Sequence, residues 1–410
     1  MVHDDIPSVG TTALAFHVAV GSRDETPAQW GMAHLLEHLV FKGAGELDHR
    51  AIARQMDRLG SDINAFTTRD YTCFYAKVLD SEAVTAYELL RDLVTSPWLR
   101  AEDLAREKNV VLEEMKESLD DPDEVLDTLI TEALYRDESY THDILGTTAS
   151  LAAADAAHLK AFFAAFYQPQ NMVFSVSGGA RDALLAAAEA DFGHGPGVPS
   201  QLPMRRLRPQ VQFQKRRLWA DWEQVKLALA IPAPGRYDAE YGASLVLASL
   251  LGGQNTSRLW QRLREQEGLV YGVSTQYAPE SDFGDMMTYL GLGPDHLTRA
   301  LQAVDDEVAQ LALVGPEAEE LAHTRMYLNT VLVMNQETPD ARVMRMGRYG
   351  LDGRRPPLLM DIGEQLAAVS AQAVRRQAEA WRDTRRMAAA AAGPMDDDMW
   401  AALSGSLGGE

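Results

Sequence analysis

Only one cysteine, Cys73, occurs in 410 residues, so no disulfide can close within the chain. No uninterrupted apolar run reaches the roughly 18 residues of a membrane-spanning helix. Positive charge is scarce as well. The chain has 38 Lys and Arg against 60 Asp and Glu, a formal net charge of −22. That deficit excludes the basic footprint of a nucleic-acid partner and of docking on an anionic membrane face. The opening Met1-Val2-His3-Asp4-Asp5 offers neither the basic nor the apolar stretch of a secretory leader. A soluble cytoplasmic protein is therefore expected, with no nucleic-acid and no membrane partner. What is present is ordinary globular material, 46% hydrophobic and 24% charged. The length suggests two to three domains, large enough to fold without staples.

A Gly/Pro-rich stretch, Phe192-Gly193-His194-Gly195-Pro196-Gly197-Val198-Pro199, runs on to Arg208-Pro209 and reads as a linker. The expected organisation is a first domain over 1–193, a linker over 194–209 and a second domain over 210–410. The halves resemble each other. Each has a β-like run (13–21 and 225–231), a turn, and then a helical segment opening at Gly31 or Gly242. An offset of 211 superposes Gly31 on Gly242 and Leu39 on Leu250. His34, Glu37 and His38 then fall on Leu245, Ala248 and Ser249. A duplicated domain in which one copy holds a site has this look. Strands are expected over 13–20, 66–78 and 172–176, and helices over 30–42, 48–59, 81–95, 101–119 and 149–166. Asp121-Pro122 punctuates the chain after the fourth of these. The order is not a strict βαβ alternation, so the fold class is α+β.

His34-Leu35-Leu36-Glu37-His38 is the informative segment. Residues four apart share a helical face, so His34 and His38 can aim two imidazoles at one metal ion. Zinc suits two nitrogens, one carboxylate and an open position for water. Glu37 can then act as the base for that water. The order His-x-x-Glu-His is the inverzincin pattern. Its alternative reading, two solvated histidines, fits poorly beside Met32, Leu35, Leu36, Leu39 and Val40, which make the helix mostly buried. A third ligand is needed. Glu107 and Glu114 lie seven apart on one helical face. By spacing alone either could bind the metal while the other orients a histidine from behind.

With these residues in view, the whole chain resembles the pitrilysin/insulinase/mitochondrial processing peptidase family of zinc endopeptidases, in its short two-domain bacterial form. In that family a glutamate follows the histidine motif by 76 residues, as Glu114 follows His38. The resemblance makes Glu114 the ligand and Glu107 the carboxylate behind it, in a helix reading Arg106-Glu107-Lys108-Asn109-Val110-Val111-Leu112-Glu113-Glu114-Met115. Gly21-Ser22-Arg23-Asp24-Glu25 and Phe41-Lys42-Gly43 also match, as does Gly60-Ser61-Asp62-Ile63-Asn64-Ala65-Phe66-Thr67. There the family holds substrate backbone on an edge strand, which implies peptide contact at Asn64, Ala65 and Phe66. In the second half Arg264 and Tyr271 match a pair that, in active relatives, binds the substrate carbonyl.

The resemblance implies a peptide substrate and one Zn2+ per catalytic domain. It also implies two homologous domains, each a largely antiparallel sheet covered by helices, forming half of a clamshell. A homodimer would complete the composite sites, Arg264 and Tyr271 of one subunit facing the zinc of the other. A heterodimer with a paralogue is the alternative, and a non-catalytic subunit of a peptidase-like complex is the rival function. Two departures stand out. The opening strand is expected to be missing or truncated ahead of Ser8-Val9. Gln266 and Glu267 replace frequent basic residues, which would alter substrate charge preference. The other eight of ten histidines have no spacing partners and read as ordinary. Cys73 reads as a buried thiol.

Overall fold

The computed structural model describes residues 1–4, 9–60, 63–193 and 208–406. Ser61 and Asp62 of the Gly60–Thr67 motif, and 194–207 of the expected linker, lie outside the described residues. The chain divides into two compact units, and each is a five-stranded sheet with helices, an α+β architecture.

The first unit comprises Met1–Lys116, Glu138–Leu207 and Met334–Pro357. The strands of its five-stranded sheet are β1 (Val2–Asp4), β2 (Thr11–Val18), β3 (Asn64–Thr67), β4 (Thr72–Leu79) and β5 (Met172–Gly178), beside a small separate hairpin of Gly43–Ala44 and Leu47–Asp48. They lie in the order β1-β5-β2-β4-β3. Only the β1–β5 pairing is parallel. An opening strand is thus present, three residues long, with Val2 opposite Ser175.

The second unit comprises Glu117–Asp137, Arg208–Val333 and Leu358–Glu410. Its strands are β6 (Lys215–Trp219), β7 (Val225–Ala233), β8 (Val270–Pro279), β9 (Gly284–Leu292) and β10 (Ala388–Gly393). Their order is β8-β9-β7-β10-β6, again with one parallel pairing, β10–β6. Read from the parallel edge, both five-stranded sheets run first, last, second, fourth and third of their own strands. The internal similarity of the sequence therefore extends to the topology.

Each unit borrows a helix from the other half of the sequence. Pro122–Leu134 packs on β7 and β10 of the second sheet, and Pro339–Leu351 on β2 and β5 of the first. Asp121 starts the former: its carboxylate accepts from Asp123 N at 2.8 Å, with proline at the first helical position.

Strand period two explains the need for a second cover. Leu14, Phe16 and Val18 of β2 join Phe74 and Phe174 in the main core, while Ala13 and Ala15 face the other way. There Val343 and Met346 of the borrowed helix close over them and Cys73. His17 shares that face and is fully buried. Its Nε2 lies 3.0 Å from Ser175 Oγ. Gly347 sits directly over the ring, where a Cβ would come within 1.9 Å of Nε2.

Two expected elements are subdivided. The run 66–78 is a hairpin, because Thr68 accepts at Oγ1 from Asp70 N (3.2 Å) and Tyr71 N (3.0 Å) and turns the chain. The run 149–166 is two helices, Thr148–Ala153 and Ala156–Phe166, because Asp155 caps a new start by accepting from His158 N at 2.8 Å.

Candidate metal centre

The helix Met32–Val40 buries Met32, Ala33, Leu35, Leu36, Leu39 and Val40 against the first unit's core. That apolar contact leaves His34, Glu37 and His38 partly buried on the remaining surface. The helix starts at Gly31, whose φ of +85° suits glycine and whose Cβ would stand 2.4 Å from the Leu145 carbonyl oxygen. Opposite runs the helix Ala101–Asp120, with Asp103, Leu104, Glu107 and Val111 turned inward. Glu114, two turns beyond Glu107, continues that face.

One ligand atom each from His34, His38 and Glu114 fall within 4.8 Å of one another. His34 Nε2 is 3.9 Å from Glu114 Oε2, and His38 Nε2 is 3.7 Å from Glu114 Oε1. The two imidazole centroids are 4.6 Å apart. His34 Nδ1 and Glu114 Oε2 are buried without a hydrogen-bond partner. Buried polar atoms are normally satisfied, so the orphan Glu114 Oε2, which looks onto His34 Nε2 at 3.9 Å, fits a cation held between them. Burial lowers His34 to about 4, helped by His38, which leaves the imidazole neutral and able to ligate.

The other carboxylate takes a different place. Glu107 Oε2 lies 3.4 Å from His38 Nδ1, and its Oε1 is 2.8 Å from Lys42 Nζ. Holding Nδ1 turns the Nε2 lone pair toward Glu114. The tertiary arrangement thus separates two glutamates that spacing alone left equivalent.

Glu37 Oε2 accepts from Thr67 Oγ1 at 2.6 Å, leaving Oε1 for chemistry. Burial pushes the Glu37 carboxyl above its ordinary range, and the Thr67 hydroxyl opposes the shift. Thr67 ends β3, the free edge of its sheet, beside Phe66, Ala65 and Asn64. Asn64 is exposed and its Oδ1 accepts from Ala65 N at 2.9 Å.

Arg264 and Tyr271 belong to the second unit. Arg264 lies in a π-helical segment, Trp260–Gln266, a widened turn frequent at functional sites. A turn at Gly268, with φ of +62°, brings the pair together. Arg264 donates to the Tyr271 carbonyl and stacks over Trp260 with Cζ 4.5 Å from the ring centre. The Tyr271 side chain is exposed. Glu267 does not face outward as a free charge. Both its oxygens accept from Arg299 at 2.7 Å, and Arg262 also donates to it. Its charge is used in holding the turn, which removes the basis for a changed substrate preference at this residue.

Four contributors escaped the sequence reading. Lys42 and Thr67 stood inside quoted motifs without a role. Glu25 did likewise, His142 was among the eight histidines without a spacing partner, and the two prove to be a buried contact behind the His34 helix.

Comparison with known chains identifies the family to which this fold belongs. The family model described as insulinase, peptidase family M16, matches residues 1–148, and that of the peptidase M16 inactive domain matches 153–328. An uncharacterized zinc protease of Bacillus subtilis, YmxG, is 31% identical over 374 residues, 91% of each chain. One from Mycobacterium tuberculosis is 31% identical over 402 residues, 96% of this chain and 91% of that one. Among solved structures, a peptidase M16 inactive domain from Pseudomonas fluorescens superposes with a TM-score of 0.85 at 24% identity, covering 96% of this chain and 95% of its own. A protease from Helicobacter pylori gives 0.86 at 20% identity over 96% of both. The chain belongs to the insulinase family, peptidase family M16. Among the described residues no helix is long and apolar enough to cross a membrane.

Proposed function

We propose that the protein is a zinc-dependent endopeptidase acting on short or unfolded peptides. The observation that carries this reading is the convergence of His34, His38 and Glu114, with Glu114 Oε2 buried and unpartnered, beside Glu37. His34, His38 and Glu114 would hold the ion, with Glu107 orienting His38. A zinc ion there supplies Lewis-acid activation of water and of the peptide carbonyl. Glu37, fixed through Oε2 by Thr67, uses Oε1 to take the proton of the attacking water. It then returns that proton to the leaving amide nitrogen. The free edge of β3 takes substrate backbone by strand addition, Asn64, Ala65 and Phe66 lying alongside it. Arg264 and the Tyr271 phenol donate to the carbonyl oxygen as it gains charge.

The protein works as a homodimer whose sites are composite, the Arg264–Tyr271 pair being supplied across the subunit interface. Its cellular place is the cytoplasm.

Peptide cleavage should be abolished by a chelator and restored by zinc. Glu37→Gln should keep the metal and lose turnover by roughly 10²–10⁴-fold. Mixing Glu37→Gln with Arg264→Ala after subunit exchange should return partial activity from two inactive parents. Near-wild-type cleavage by Glu37→Gln refutes the base. No rescue after verified exchange refutes the shared site.

A further inference from the structure

Behind the His34 helix lies a buried acid–base pair with no part in the proposed chemistry. The Glu25 side chain is wholly buried and that of His142 is 3% exposed. Glu25 Oε1 accepts from Ala33 N at 2.7 Å and Oε2 from Gly31 N at 2.8 Å. Backbone N–H groups at a helix start have no partner inside the helix, and the helix dipole favours a negative charge there. Glu25 therefore clamps the turn that carries His34, although it is six residues upstream of Gly31.

His142 fixes the protonation of this clamp. Its Nδ1 lies 2.8 Å from the Glu138 carbonyl oxygen, which can only accept, so Nδ1 carries a hydrogen. Its Nε2 lies 3.2 Å from Glu25 Oε2. A neutral ring would then aim a bare Nε2 lone pair at a carboxylate in a dry site. One proton must lie between them. Two contacts favour placing it on His142. The Trp30 ring stacks on the imidazole, centroids 4.9 Å apart and planes 13° from parallel, a face that attracts a cation. The two amides of the helix start stabilise the matching negative charge on Glu25. Burial holds the Glu25 carboxyl above its ordinary range, and His142 and those amides only partly offset the rise. Nearby charges are tied elsewhere: Arg69 Nε donates to the Tyr140 carbonyl at 2.9 Å and Arg23 pairs with Asp70 at 3.2 Å.

We propose that Glu25 and His142 form a solvent-excluded imidazolium–carboxylate pair that positions His34 and His38 by clamping the first turn of their helix. The consequence for metal rests on the zinc reading above, whereas the protonation state does not.

The test is a long-range proton–nitrogen correlation on 15N-histidine-labelled protein at pH 8, where an ordinary imidazole is neutral. His142, assigned by its loss in His142→Gln, should be doubly protonated in the wild type and singly protonated in Glu25→Gln. A neutral His142 in folded wild-type protein overturns the ion pair. Chelator competition then measures zinc affinity, which should weaken about 10- to 100-fold in His142→Gln and Glu25→Gln. Both variants should keep the native circular dichroism. Equal affinity in wild type and both variants overturns the positioning role. If Glu25→Gln does not fold, the wild-type spectrum and His142→Gln still decide both points. A wild-type protein that binds no zinc refutes the peptidase reading, and the ring spectrum still judges the pair.

Discussion

His17 should make the first unit lose stability in mild acid by a calculable amount. Its ring is fully buried between β2 and the borrowed helix Pro339–Leu351, and burial lowers it from 6.5 to about 4. Above pH 6.5 both folded and unfolded chains carry it neutral, so it adds no pH dependence. As the pH falls from 6.5 to 4 the unfolded chain binds a proton that the folded one refuses, and stability declines. Below pH 4 both are protonated and the loss levels off. The interval of about 2.5 pH units, at about 1.36 kcal/mol each, gives a loss of about 3 kcal/mol. The assay is urea unfolding followed by hydrogen exchange in peptides from β2 and from 339–351, at pH 7 and pH 4.5, for wild type and His17→Asn. Carboxylates common to both proteins cancel in the difference. Wild type should lose about 2–3 kcal/mol more than the variant over that interval. Parallel pH profiles for the two proteins would refute the account, for they would mean that His17 is protonated in the fold or solvated by it.

The same contact makes Gly347→Ala costly. A methyl 1.9 Å from His17 Nε2 forces the helix off the sheet, and a loss of about 1–3 kcal/mol should appear in the same exchange assay, partly relieved by pairing it with His17→Ala. Glu107→Gln should weaken zinc about 10- to 100-fold in chelator competition, because the amide orients His38 Nδ1 less firmly and leaves Lys42 without its anion. Thr67→Val removes the donor that holds the Glu37 carboxyl down. The acidic limb of the kcat profile should therefore move to higher pH with little change in KM.

Much of the site is legible at short range. His34 and His38 are four residues apart, Glu37 lies between them, and any helix puts such residues on neighbouring surface whatever else the chain does. Asp121-Pro122 punctuates the chain for the same local reason, and the helix Ala101–Asp120 does end there, although the helix Pro122–Leu134 that follows was not expected. Where side chains meet across long separations, local spacing is silent. The hairpin within 66–78 depends on one hydroxyl at Thr68, inside a run whose hydrophobic pattern reads as continuous. The run 149–166 hides a break because alanine continues a helix readily and only Asp155 interrupts it. Eight histidines lack a partner by spacing, yet His142 meets Glu25 across 117 positions and His17 meets Ser175 across 158.

By itself, then, the chain's order of residues determined the α+β class, the likeness of its two halves and the shared helical surface of His34, Glu37 and His38, since periodicity and i,i+4 neighbours are properties of a single element. Packing decided the rest. Which glutamate meets Nε2 and which meets Nδ1 depends on the height at which two helices pass. Which helix covers which sheet depends on the exchange of Pro122–Leu134 and Pro339–Leu351 between halves. Both are outcomes of burying complementary apolar faces, a choice made between elements far apart in the chain and invisible to either of them alone.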